Sequence, residues 1–181
     1  MQCNETHNKE IQRSLTELGK KIDKLSNSFG QTYKLEDRRF FNAAYGKKVT
    51  QSSDYDKQHY LATSVTNGLL LDFSHTKKEN NPWLLIDLGT DFYVFEVEIY
   101  NVDKVVQCCA NRFRDANISV GSSYITMELC GHFEGPGEDK ERIVVRCPLV
   151  KRVRYVKIQI VKGTDNYLHL AEVQVWATNV L

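Results

Sequence analysis

The hydrophobic positions of residues 1–30 follow a heptad pattern. Apolar residues recur alternately four and three residues apart, at Ile11, Leu15, Leu18, Ile22, Leu25 and Phe29. The residues between them are mostly polar or charged, so a helix here has one narrow apolar stripe. Because an isolated helix of this length is marginal in water, the stripe needs a partner. The pattern predicts a coiled-coil helix that joins chains into a dimer or trimer; the alternative is a helix docked on its own domain.

From about residue 41 the hydrophobic period changes to two. Phe95, Val97 and Ile99 alternate with glutamates. The same alternation occurs at Ile118 and Val120, Ile143 and Val145, Val156, Ile158 and Ile160, and Val173 and Val175. Such strands, buried on one face and joined by polar loops, are typical of an antiparallel β-sandwich or barrel. The predicted organisation is therefore a helix over 1–30, a linker over 31–40 and an all-β domain over 41–181.

Charge and motifs exclude several classes of function. The chain has 24 basic and 23 acidic residues, a formal charge of +1, so no electrostatic field favours nucleic acid. No apolar run approaches the ~20 residues that cross a bilayer, so no membrane insertion is expected. The segment GLLLDF, residues 68–73, is instead predicted to be core. No G-x-S-x-G, H-E-x-x-H or phosphate-binding glycine loop occurs, so the chain is not expected to be an enzyme.

The cysteines favour an oxidising environment. Cys130 and Cys147 flank a hairpin-like excursion that contains Gly135-Pro136-Gly137, a strong turn signal. A disulfide between them is predicted, the alternative being two buried thiols. The N-terminus, MQCNETHNKE, contains no hydrophobic leader. The protein is nevertheless expected to be secreted or extracellular, with its leader absent from this sequence.

Several segments, taken together, resemble the F-type lectins, fucose-binding β-jelly-roll domains related to discoidin domains. These are NAAYGKKVTQSS at 42–53, SHTKKENNPWLLIDLG at 74–89 and CCANRFRDANISVG at 108–121, followed by RVRYVKIQI and LHLAEVQVW near the C-terminus. The match runs over roughly residues 41–177 in the order that the family shows. The resemblance implies an antiparallel β-sandwich jelly roll and a carbohydrate site.

The resemblance also implies which residues hold the sugar. Adjacent cysteines of that family form a strained vicinal disulfide that faces the sugar's methyl edge, which assigns this role to Cys108 and Cys109. The family's histidine corresponds to His75 and its second basic residue to Arg112. Its first arginine is replaced by valine, at Val102 or Val105 depending on how the longer loop is aligned. Two other basic residues are candidate substitutes for it, Lys104 and Arg114.

A structural calcium ion is a further implication of the resemblance. Calcium prefers oxygen ligands from carboxylates, amides and backbone carbonyls. The side-chain ligands carried over from the family are Asn67, Asp72 and Glu172, and the main-chain ligands are Ser64, Leu69 and Ala171. The alternative is that Asn67-Gly68 forms only a tight turn and that Glu172 faces solvent.

The sequence therefore predicts a calcium-associated, oligomeric lectin that recognises fucose-type or related glycans through a partly degenerate site. Weak individual sites on a helix-joined oligomer gain avidity without new contacts. The alternative is a lectin-derived module that has lost sugar binding and now serves protein interaction or assembly.

Overall fold

The computed structural model describes residues 17–18, 20–21, 40–104 and 109–179. The chain divides into two units, Met1–Arg39 and Phe40–Leu181. Of the predicted coiled-coil helix, only residues 17–18 and 20–21 are described, and these are helical. The rest of the heptad pattern lies outside the described residues, so coiled-coil association stays a prediction. Within the described ranges, no helix is both long and apolar enough to cross a membrane.

The described part of the second unit is built almost entirely of antiparallel strands. The strands are β1 (Phe41–Asn42), β2 (Lys48–Gln51), β3 (Ser74–His75), β4 (Trp83–Tyr100), β5 (Ala116–Gly121), β6 (Glu128–Phe133), β7 (Arg142–Ile160), β8 (His169–Leu170) and β9 (Glu172–Thr178). Two short 3₁₀ helices, Ala62–Thr66 and Ala110–Arg112, lie in the loops. The all-β prediction is therefore confirmed.

Two long strands organise the main sheet, whose order is β1-β9-β4-β7-β5-β6. The first part of β4 pairs with β2 and with the end of β7, whereas its second part pairs with β9 and the start of β7. The register shifts between Asp87 and Phe92, where the strands pass from one half of the sheet to the other. One hydrophobic cluster includes Leu84, Ile118 and Val175 from the two halves, so they enclose a common core. A separate small sheet is formed by β3 and β8.

Most of the alternating residues of the sequence occupy the core as predicted, but Phe95 lies at a register shift in β4 and is only half-buried. Val97, Ile99, Ile158 and Val173 are completely buried. The structure departs from the expected alternation at Glu98, which is only 3% exposed. Its carboxylate accepts hydrogen bonds from the guanidinium of Arg142 and from the Tyr100 hydroxyl, which replace its lost hydration.

The predicted disulfide between Cys130 and Cys147 is present, with a sulfur–sulfur distance of 2.10 Å. It connects β6 with β7, and both strands flank β5. Cys130 itself is packed in the core.

Candidate functional site

His75 lies at the centre of an aromatic cluster formed where β3 pairs with β8. In this pairing His75 lies directly opposite His169, so their side chains are close neighbours. The His75 side chain is only 3% exposed. Five rings have centroids within 4.6–6.3 Å of its own, those of Tyr55, Tyr60, Phe73, Tyr167 and His169. A ligand can therefore reach His75 only at the edge of its ring.

The hydrogen bond of His75 determines what that edge can offer. Nδ1 lies 2.6 Å from the Thr76 carbonyl oxygen. Because a carbonyl oxygen only accepts, Nδ1 carries the proton and Nε2 of the neutral ring keeps its lone pair. Burial lowers the pKa of His75, and the positive charge of Arg112 lowers it further, against the opposing effect of the Thr76 carbonyl. His75 is therefore a neutral hydrogen-bond acceptor at neutral pH.

The loop that carries Cys109 brings a permanent positive charge to the same cluster. Cys109 is disulfide-bonded and has a positive φ of 77° at the start of the short helix Ala110–Arg112. The guanidinium carbon of Arg112 lies 4.5 Å from the centroid of the Tyr167 ring, which in turn contacts His75. The structure thus brings together His75, Arg112 and Cys109, three of the predicted sugar-binding residues. Their role in binding stays a prediction.

Two other predicted sugar-site residues, Lys104 and Arg114, make their described contacts elsewhere. The Lys104 amide donates to the Asp139 carboxylate, and its ammonium lies 3.8 Å from the same group. Arg114 is exposed and lies against the turn at Gly135. Neither has a hydrogen bond, ion pair or ring contact with His75 in the part of the chain that the structure describes. Cys108 lies outside that part, so its predicted bond to Cys109 is not described.

Val102, one of the two valines that align with the first arginine of the F-type lectin site, is part of an apolar wall. Val102 is 1% exposed and packs in a small cluster with Phe73 and Ala110, bordered by Tyr60. Because the rings of Phe73 and Tyr60 also lie beside His75, this wall continues into the aromatic cluster. The other position, Val105, falls in the undescribed stretch 105–108. Val102 therefore makes a hydrophobic contact beside the aromatic cluster.

Three of the predicted calcium ligands, Asn67, Asp72 and Glu172, meet at the turn between the first 3₁₀ helix and β3. The Gly68 amide donates to both carboxylate oxygens of Glu172, at 3.2 Å each. Glu172 is 1% exposed, so the alternative in which it faces solvent is wrong. The Asn67 side-chain amide donates to Asp72 Oδ2 at 2.7 Å, while Asp72 Oδ1 is buried and has no hydrogen-bond partner in the described part of the chain.

The electrostatics of this turn fit a bound cation. Burial raises the pKa of Glu172 to about 7, and the nearby charge of Asp72 raises it too, against the Gly68 hydrogen bond. A partnerless carboxylate oxygen beside a buried carboxylate is a set of hard oxygens of the kind that calcium prefers. Among the described residues, no group of three His, Cys, Asp or Glu side chains is placed so that it could hold a metal ion. A bound ion would therefore also need amide and main-chain oxygens, such as those of Ser64, Leu69 and Ala171.

The leucines that precede Asp72 are exposed, contrary to the prediction that GLLLDF is core. Leu69, Leu70 and Leu71 have exposed fractions of 58%, 52% and 77%. Gly68 turns the chain outward with a φ of +81°, while its amide is held by Glu172 and the Tyr45 ring lies against it. Leu70 and Leu71 line a pocket of about 200 Å³ together with Tyr100, Asn101, Asp103 and Lys140. In this segment only Phe73 returns to the interior.

Sequence reasoning missed the aromatic residues and the second histidine of the site. Tyr55, Tyr60 and Tyr167 carry no motif, and they reach His75 only because the loops fold over the small β3–β8 sheet. His169 has a weak signal, an imidazole between Leu168 and Leu170 in a segment otherwise predicted to be a buried strand. The pairing of β3 with β8, which places it against His75, is not visible in the sequence.

Comparisons with known proteins agree with this architecture. A family model described as a NedA-like, galactose-binding domain matches residues 63–158. A pentraxin fusion protein of Xenopus laevis is 30% identical over 139 residues, which cover 71% of this chain. The chain spans only 32% of that protein's length.

Two solved structures are similar over three quarters of the chain. The lectin domain of lectinolysin, solved in complex with Lewis B antigen, has 28% identity and a TM-score of 0.66, covering 75% of this chain and 95% of that domain. A serum fucolectin of striped bass, Morone saxatilis, has 25% identity and a TM-score of 0.70, covering 77% of this chain and 49% of its own. Both matches place the chain among lectin-like β-sandwiches.

Proposed function

Because the chain belongs to the family of NedA-like, galactose-binding domains and shares the fold of the F-type lectins, we propose that it binds carbohydrate at the His75 cluster. The observation that carries this proposal is the convergence of a neutral imidazole, a guanidinium and an oxidised cysteine at one place. Of the two lectins just described, the lectinolysin domain is complexed with Lewis B antigen and the striped bass protein is called a fucolectin. A fucose-type glycan is therefore the proposed ligand class.

The donors and acceptors of the site suit vicinal sugar hydroxyls. His75 Nε2 accepts a hydrogen bond from one hydroxyl, while the Arg112 guanidinium donates to a neighbouring hydroxyl or to the ring oxygen. Tyr55, 55% exposed and 4.6 Å from His75 between ring centroids, supplies an apolar surface for the C–H face of the sugar. A Cys108–Cys109 disulfide is proposed as the apolar contact for the methyl edge.

The missing first arginine makes the proposed site weak. Val102 offers no donor, and the loss of one charge-assisted hydrogen bond is worth about 1.5–3 kcal/mol. That corresponds to roughly ten- to a hundredfold in affinity. Association through the predicted helix at 1–30 compensates for this weakness, because linked sites gain avidity of ~10²–10⁴. We therefore propose that the protein is an oligomeric lectin. We also propose that it acts outside the cell, where the Cys130–Cys147 disulfide would be stable.

Calcium is proposed as a structural ion beside the site. Asp72, Glu172 and Asn67 would hold it, together with main-chain oxygens of the same turn. When bound, the ion neutralises two carboxylates and attaches the 67–72 loop to β9. The support for this is the partnerless Asp72 oxygen and the buried Glu172 carboxylate.

A glycan array with the full-length chain tests carbohydrate binding. Fucosylated oligosaccharides should be retained by the wild-type protein and lost, by at least tenfold in signal, by Arg112→Ala. Arg146→Ala is the matched control, because Arg146 is 83% exposed and pairs only with Glu96 in the described structure. Uniform silence of the wild-type protein, with and without calcium, would contradict the proposal.

A second function, contact with a protein partner, is favoured by the exposed leucines. Leu69, Leu70 and Leu71 form an apolar patch beside Tyr45, and such patches mark interaction surfaces. Arg112→Ala and Leu71→Ser separate the two functions. Retention on glycans depends on Arg112 in the first function, whereas a protein contact at the patch depends on Leu71 and is indifferent to Arg112.

A further inference from the structure

His169 occupies a position between the two polar groups of the proposed site. It pairs with His75 across the β3–β8 sheet, and the two rings meet edge to face with centroids 5.1 Å apart. Its side chain is completely buried. A ligand therefore cannot contact His169 directly, and any effect of this residue on binding passes through its neighbours.

The hydrogen bond of His169 reaches the loop that carries Arg112. Nε2 lies 3.1 Å from the Cys109 carbonyl oxygen. Because that oxygen only accepts, Nε2 carries the proton of the neutral ring. The same carbonyl accepts the Arg112 backbone amide at 3.0 Å. One carbonyl thus connects the imidazole with the short helix on which Arg112 stands.

The backbone at Cys109 needs such support. Its φ of 77° is in the left-handed region, which is unfavourable for a residue with a side chain. A donor from a different element of the fold fixes the direction of the carbonyl and therefore the start of the helix. Fixing that start determines where the Arg112 guanidinium lies over Tyr167.

The other ring nitrogen shows that His169 is not an optimal core residue. Nδ1 is buried and has no hydrogen-bond partner among the residues that the structure describes. Burial, together with the nearby His75 and Arg112, lowers the pKa of His169 to about 4, so the ring is neutral. A phenyl ring would fill similar space without an orphan nitrogen, so the particular contribution of the imidazole is its bond to Cys109.

We propose that His169 is a positioning residue of the carbohydrate site, which holds the Cys109 carbonyl and thereby sets the relative placement of Arg112 and His75. The proposal rests on the proposed function of this site but adds a residue that no ligand touches. It also explains how a site that lacks one arginine keeps the other in a defined place.

Two substitutions separate hydrogen bonding from packing. His169→Phe keeps a ring against His75 but removes the donor, and His169→Gln keeps a donor of similar reach. Titration with a Lewis B oligosaccharide should give affinity about three- to tenfold weaker for His169→Phe, the range expected for one hydrogen bond. His169→Gln should remain within about twofold of wild type. Equal affinity of wild type and His169→Phe, or equal losses in both variants, would overturn the proposal.

Coupling to Arg112 distinguishes positioning from a general structural role. In an Arg112→Ala background, His169→Phe should cause no further loss, because the guanidinium that it positions is gone. Additive losses would show that His169 acts elsewhere and would contradict the inference. If His169→Phe does not fold, as judged by its thermal melt, His169→Leu takes its place in the same cycle.

A measurement without ligand keeps this inference separate from the proposed function. The Arg112 guanidinium lies on the face of Tyr167, so ring-current effects should shift its side-chain NMR signals upfield. His169→Phe should move these signals toward their free positions, and His169→Gln should retain the shift. If the wild-type protein binds no glycan, this shift still decides the role of His169, and unchanged signals in His169→Phe refute it.

Discussion

The two ring nitrogens of His75 have different hydrogen-bonding roles. Nδ1 donates to the Thr76 carbonyl, and Nε2 is left as the acceptor that a sugar hydroxyl can use. Protonation would convert Nε2 from an acceptor into a donor. The positive charge of Arg112 disfavours a second positive charge on His75 and so opposes this protonation. The proposed site therefore works only with the neutral ring.

Acidification should weaken glycan binding through this titration. The pKa of His75 lies below its ordinary value of 6.5, so affinity should be constant from about pH 8 to pH 6.5. It should fall at lower pH, as the protonated fraction rises. Isothermal titration with a Lewis B oligosaccharide, in saturating calcium to separate any effect of Glu172, measures the profile.

His59→Gln is the control for this profile. His59 is an exposed histidine whose Nδ1 lies 2.8 Å from the Asp56 carboxylate, and within the described residues it makes no ring contact or hydrogen bond with His75. Its replacement should leave the profile unchanged, whereas His75→Gln should lower affinity and flatten the dependence on pH. A midpoint above 6.5 in the wild-type protein would contradict the neutral-acceptor role.

The residues of the site were predictable only where they belong to a motif. His75, Arg112 and Cys109 could be found because their neighbours resemble those of the F-type lectins. His169 and Tyr167 could not, because their contacts with His75 and Arg112 depend on tertiary pairing between distant segments. Lys104 was a candidate because of its charge and its position in the loop; its amide and ammonium lie beside Asp139, and its role in binding stays a prediction.

At the scale of secondary structure, alternation identified the buried faces but not the length of the strands. β4 and β7 each continue through a shift in register, which the sequence pattern reads as separate short strands. Alternation also fails at Glu98 and Glu172, since both glutamates are buried by specific partners. The alternation of apolar and polar residues predicts which positions are buried. It does not show where a buried charge is compensated by a hydrogen bond or an ion.

The Cys130–Cys147 disulfide should contribute strongly to stability. It closes a loop between residues 17 positions apart, for which the chain-entropy model gives about 3 kcal/mol. Replacing both cysteines by alanine should lower the free energy of unfolding by that amount in urea titrations. Substitution is preferable to reduction here, because a reductant would also attack the disulfide of Cys109. A change below about 1 kcal/mol would show that the β5 pairings alone hold β6 and β7 together.

At the scale of the whole molecule, the proposed lectin combines a sugar site of low affinity with two features that would strengthen binding. The predicted helix over residues 1–30 would supply avidity, and the proposed calcium ion would stiffen the turn between Asn67 and Asp72. That turn continues through Phe73 directly into β3, which carries His75. The metal is therefore expected to act on binding through stability and order rather than through contact with the sugar.

Calcium should raise the melting temperature, and more so at high pH. Without metal, the pKa of Glu172 in the folded protein, about 7, is above its ordinary value of 4.5. The contribution of Glu172 to stability is therefore fully present below pH 4.5 and is lost as the pH rises through about 7, where a buried carboxylate becomes charged. Calcium offsets that charge, so calorimetry should show a larger calcium-induced increase at about pH 8 than at about pH 5.5.

Glu172→Gln tests this assignment, because it keeps an oxygen for the Gly68 amide and removes the charge. The variant should be more stable than wild type at about pH 8 in chelator, and it should lose most of its response to calcium. Glu128→Gln is the matched control, since Glu128 is 67% exposed and pairs with Lys151 on the surface. If the wild-type protein has the same melting temperature in calcium and in chelator at both pH values, the proposal of a calcium site at this turn is contradicted. The buried Glu172 carboxylate would then be explained by its hydrogen bond to Gly68 alone.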